Sequence, residues 1–183
     1  MTVLPDRSRA TGFRAFTTGI RNRFPHLGKD LAKILVAVAC GAGFASLFTW
    51  DTGTDASAIT AHGIFLHNTA LAVLALFLTH YGATLMMVLN GFWLGMGMVG
   101  SMAAAGVEKT LALTVVHVPL EVIAWALTIQ GARVLWPVLL GAARKVHSWR
   151  HAGATLRGVL AAPFIFYILA ALAEWAEHAL LER

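Results

Sequence analysis

Between Ile34 and Val107 the chain carries only two charged residues, Asp51 and Asp55. A soluble domain has about one charged residue in four, so this stretch cannot supply an ordinary water-facing surface. Its apolar runs must be covered by lipid or by each other. Across the whole chain, charged types make up 13% and mean hydropathy is +0.70, so the same holds for the protein at large. In lipid, backbone polar groups must be satisfied within helices or closed barrels. The runs here have helical rather than strand length. The expected fold is all-α: a polytopic transmembrane bundle of about five helices (31–183) preceded by a basic segment (1–30).

The five hydrophobic segments fall at about 31–50, 63–89, 91–106, 110–140 and 158–181. Asp51 to Ala58 forms a polar, acidic loop after the first. Asn90-Gly91 predicts a tight turn between the second and third. Glu108 and Lys109 mark the turn before the fourth, which Gln130-Gly131 and Pro137 are expected to bend or shorten. Cys40, the one cysteine, is expected to pack as a small apolar residue. A cleaved signal peptide is not expected, because about thirty polar and basic residues precede the first apolar run.

Charge fixes an orientation. Arg7, Arg9, Arg14, Arg21, Arg23 and Lys29 crowd the N-terminal segment, and Arg144, Lys145, Arg150 and Arg157 crowd one late loop. Phe13, Phe16, Ile20 and Phe24 recur among the arginines at helical spacing. That pattern reads equally as an amphipathic surface helix or a tail. Basic segments face the cytoplasm, where anionic lipid lies. Both do so only if an even number of crossings separates them, so the short third segment must cross. The N-terminus is then inside and the C-terminus outside. The basic residues flank spans and form no groove, so nucleic-acid binding is not expected.

Within the fourth segment, His117 and Glu121 stand four residues apart on one helix face. Ionisable groups at membrane depth are costly and mark function by default. Counting along the helices brings Asn68, Glu174 and Glu177 to the same outer half, with Tyr167 on the Glu174 face. Glu177 and His178 also stand near enough to a segment end to reach the surface. Asn68, Ala72, Ala75, Thr79, Gly82 and Met86 would form one small-residue face of the second helix. Gly91 and Gly95 form a small-xxx-small pair, with Asn90, a structural or substrate-contact polar residue, just before it at the inner end. Arg133 is expected to snorkel to the inner interface.

The polar set admits several roles. His117 and Glu121 can share an internal hydrogen bond that sets helix register. They can relay protons or grip a peptide substrate. They can act as general acid and base, or join Glu174 in holding a divalent metal such as zinc that activates water. The two-His-plus-Glu zincin motif is absent. So are a Walker A loop, a Rossmann fingerprint and a nucleophile elbow.

Taken in order, Ile64-FLHN-Asn68, Gly82, Leu89-NGFWLG-Gly95, His117-VPLE-Glu121 and Leu169-AALAE-Glu174 resemble the stage II sporulation protein M family over about 63–177. That family often reads Pro-His-Gly before the Glu, whereas here Val116-His117-Val118-Pro119 puts the proline after the His. The resemblance implies a multi-pass protein of the bacterial cytoplasmic membrane with this polar set. It further implies a membrane partner in cell-envelope remodelling beside wall hydrolases, or in bacteriocin-type peptide maturation and export beside a transporter. An intramembrane hydrolase or peptide-maturation enzyme using His117, Glu121 and Glu174 is the alternative. Exposed small-residue faces fit a homo-oligomer and intrachain packing equally.

Overall fold

The structure, a computed structural model, describes residues 24–48 and 61–181. Every element in them is a helix: α1 (Leu27–Ala45), α2 (Ala61–Phe77), α3 (His80–Ala105), the short α4 (Val107–Ala112), α5 (His117–Ala143) and α6 (Trp149–Leu181). Three of these, α3, α5 and α6, are long and apolar enough to cross a membrane; α2 adds a shorter apolar stretch, Leu66–Phe77. Most of the basic N-terminal segment and the 51–58 loop lie outside the described residues.

Contacts fix the helix directions. Gly91 faces Ile34 and Gly95 faces Val38, so α1 and α3 run parallel. His117 meets Glu177 while Thr128 meets Tyr167, so α5 and α6 run antiparallel. The start of α1 meets Gln130 and Arg133 midway along α5, while Leu35 and Val38 share a recess with Val118 and Pro119 at its start, so α1 opposes α5 as well. Asn68 meets Glu121, and Leu76 approaches Gly131, so α2 runs with α5. The five long helices therefore alternate. One end of the bundle gathers the start of α1, the α2–α3 turn and the α5–α6 turn. Every described Lys and Arg except Lys109 belongs to that end.

Several boundaries differ from those expected. The chain turns at Leu78-Thr79, not at Asn90-Gly91, which lies within α3. Thr79 occupies the N-cap with extended backbone, without a side-chain cap bond. Asn-Gly makes no turn here, because Gly91 is wanted flat against Ile34 of α1. The break also divides the expected second-helix face. Asn68, Ala72 and Ala75 are buried, whereas Thr79 is exposed. Gly82 meets only the Leu78 side chain, at the turn, and no neighbouring helix. Glu108 and Lys109 lie in α4 instead of a turn. The turn before α4 is made by Gly106, whose φ of 88° suits glycine alone at no cost. α5 runs past Pro137 to Ala143, and α6 starts at Trp149, taking Arg150 and Arg157 into a helix.

The closest packing joins α1 to α3. A Cβ on Gly95 would overlap the Val38 carbonyl, and one on Gly41 the Phe92 carbonyl. Small residues let backbones approach this way, and dispersion then holds the pair. α5 is the central helix: from Glu121 to Gly131, Ile123 alone is not buried. Its apolar face extends all round because protein surrounds it. Val73, Phe77, Leu85, Trp93, Ile165, Leu172 and Trp175 point outward and are exposed, the surface a bilayer covers. Cys40 is exposed, not packed inside.

Candidate functional site

α5 presents its polar groups to protein neighbours, and three helices supply the partners. Asn68 of α2 donates its Nδ2–H to Glu121 Oε1 at 2.5 Å. Glu177 of α6 is buried, away from the surface it was near enough to reach. Its Oε1 accepts the Val116 N–H at 2.9 Å, and its Oε2 lies 2.5 Å from His117 Nδ1. Val116 is the N-cap of α5, where backbone N–H groups lack helical acceptors. One carboxylate thus caps α5 and fixes the imidazole. The register-setting bond between His117 and Glu121 is not formed; each residue is instead tied to a different helix.

A carboxylate on Nδ1 orients an imidazole and leaves Nε2 for a ligand or a proton. Around it, His117 and Glu174 both lie within electrostatic reach of Glu121, and Glu174 lies within reach of His117, His178 and Glu177. Glu174 is 2% exposed, yet among the described residues no hydrogen bond holds its carboxyl group. It is the uncommitted acid of the cluster.

Below these groups, Tyr167 is buried beside Thr128 with their oxygens 3.1 Å apart. Thr128 spends its proton on the Ala124 carbonyl, so the phenol donates to Thr128. Tyr167 and Thr128 border a recess of about 380 Å³ between α2, α5 and α6, whose other walls include Ala72, Leu76, Leu160 and Phe164. Trp125, one turn beyond Glu121, is buried with its indole N–H unpartnered among the described residues.

Of the residues picked from the sequence, Asn68, His117, Glu121, Tyr167, Glu174 and Glu177 are all buried, on helices that meet. Asn90 is half-buried in the middle of α3 and enters none of these hydrogen bonds. Among the described residues no three His, Cys, Asp or Glu side chains come together as metal ligands. His117, Glu121 and Glu174, the set expected for zinc, are not drawn into one ligand shell, because Glu177 and Asn68 hold the first two.

A second polar cluster was not anticipated. Asp30 is fully buried near the start of α1 and accepts hydrogen bonds from Gln130 Nε2 and, at 2.9 and 3.2 Å, from Arg133. Lys33 reaches it at 3.4 Å. Arg133 therefore does not snorkel free, since α1 supplies a carboxylate within its reach. Gln130 and Arg133, polar residues in an apolar helix, were the sequence signals.

No family model, curated protein or solved structure matches this chain.

Proposed function

We propose that the chain is a multi-pass protein of the bacterial cytoplasmic membrane, similar to stage II sporulation protein M. In this reading it serves as a membrane partner in peptide export and maturation or in envelope remodelling. All five long helices cross the bilayer. The basic end of the bundle faces the cytoplasm, and the His117/Glu174 end faces outward. The observation that carries the role is the buried outer cluster. Two of its carboxylates are spent on joining helices, while Glu174 has no hydrogen bond among the described residues. Such a cluster suits holding a cationic or hydrogen-bonding group of a partner or peptide. Among the described residues no three of its His, Asp or Glu side chains assemble a metal shell.

The alternative, an intramembrane enzyme, is favoured by one feature. Glu177 orients the His117 imidazole within electrostatic reach of the uncommitted Glu174, as an acid–base pair requires.

Affinity purification from membranes, wild type beside Glu174→Gln, tests the proposal. A stoichiometric transporter subunit or wall hydrolase retained by wild type and lost from the variant supports it. Wild type that purifies alone, with the variant fully restoring a deletion strain, removes it. A variant that retains the partner but no longer matures the peptide moves the assignment to the enzyme.

A further inference from the structure

At the opposite end of the bundle, a recess of about 440 Å³ opens where the α2–α3 turn meets α1 and α5. Lys33, Arg133, His80 and Tyr81 line it, with Leu85 and Val88 forming an apolar wall. We propose that this recess binds the phosphate headgroup of an anionic membrane phospholipid, with the acyl chains lying along α3.

Charge is the first argument. Lys33 and Arg133 share the single carboxylate of Asp30, so the site keeps one positive charge in excess. Lys33 holds Asp30 only at 3.4 Å, and its side chain is half exposed, so it can turn to a ligand at little cost. Arg133 keeps its Nε–H buried with no partner among the described residues. A guanidinium fork beside an ammonium is a strong arrangement for a phosphate group.

The backbone adds to this. α3 begins at the recess without a side-chain cap, and its first intrahelical amide bond is that of Ala83 to Thr79. The amides of His80, Tyr81 and Gly82 therefore lack helical acceptors, and a long helix favours negative charge at this end.

Lipid is favoured over a soluble anion by what lies next to the charges. Tyr81, Leu85 and Leu89 are exposed in succession along α3. The recess thus continues into the outward apolar surface, with a tyrosine at its rim, where membrane interfaces place one. The other cations of this end, Arg144, Lys145 and Arg150, make the approach positive over a wider area.

The inference rests on the membrane reading, whose own failure shows separately as release of the chain from carbonate-washed membranes. The test uses the full chain, delipidated in dodecyl maltoside. Thermal unfolding is followed by tryptophan fluorescence during titration with phosphatidylglycerol, phosphatidylcholine or inorganic phosphate. Phosphatidylglycerol is expected to raise the unfolding temperature at concentrations where phosphatidylcholine does not. Lys33→Gln is expected to unfold like wild type without lipid and to bind phosphatidylglycerol about tenfold more weakly, the loss of one charge-assisted contact. Arg133→Lys keeps a charge beside Asp30 but loses the fork, and is expected to weaken binding as well. Equal responses to the two lipids overturn the proposal, as does wild-type affinity in both variants. A response to inorganic phosphate that matches phosphatidylglycerol overturns the lipid assignment in favour of a free anion.

Discussion

Replacing Asp30 with Asn is expected to be among the costliest small changes in the bundle. Asp30 is fully buried and is the shared acceptor for Gln130, Arg133 and Lys33. Asparagine keeps the size, so no cavity forms, but it removes the charge and offers one acceptor oxygen where two were used. Removing one partner of a buried ion pair costs about 3–5 kcal/mol. The released cations are not fully buried: the Arg133 side chain is 24% exposed and that of Lys33 50%. Water screens part of the loss, which leaves about 2–3 kcal/mol. Unfolding in mixed micelles with rising dodecyl sulfate, read by tryptophan fluorescence, measures it. Arg133→Gln alone leaves Asp30 with only Gln130 and the more distant Lys33, whereas the double variant leaves no buried charge there, so the pair should couple by about 1–2 kcal/mol. A single-variant loss below about 0.5 kcal/mol, or strict additivity, would refute the account.

Further outcomes follow from other contacts. Gly95→Ala drives a methyl into the Val38 carbonyl and should destabilise by about 1–3 kcal/mol in the same assay. Gly97→Ala, with nothing within 4 Å of the added carbon, should be neutral or gain up to about 1 kcal/mol of helix propensity. Lys145 sits at φ 59° just past the end of α5, with the Val146 N–H on the Gly141 carbonyl. Lys145→Gly should therefore raise stability by about 1 kcal/mol, since only glycine adopts that conformation freely. In a Cys40→Ser background, Lys109→Cys in whole cells should react with an impermeant maleimide, and Arg150→Cys only after the membrane is opened. The reverse pattern would invert the proposed orientation.

The helical class and the polar residues that gather around His117 were legible because a bilayer makes polarity conspicuous, but the choice of Glu177 rather than Glu121 as its partner was not. Within apolar runs, Asn68, His117, Glu121 and Glu174 stand out, and depth counting places them together. Helix breaks were less legible. Asn90-Gly91 looks like a turn in one dimension, yet Gly91 serves the α1 contact and the break falls at Thr79, where no glycine or proline marks it. Asp30 was hidden for the opposite reason. It sits among Lys29, Lys33 and other polar neighbours, so nothing local distinguishes a buried carboxylate from a solvated one. Its burial comes from Gln130 and Arg133, a hundred residues on. Gly41 was missed likewise, since its role depends on how closely Phe92 approaches.

The bond between Glu177 and the start of α5 also sets an order of events during synthesis. The ribosome delivers Val116 and His117 some sixty residues before their acceptor. Until α6 follows, the nascent α5 holds an uncapped first turn and an unanswered imidazole, which hydrocarbon tolerates poorly. The arrival of α6 is therefore what retires that liability. A product stopped short of residue 177 keeps both groups unanswered.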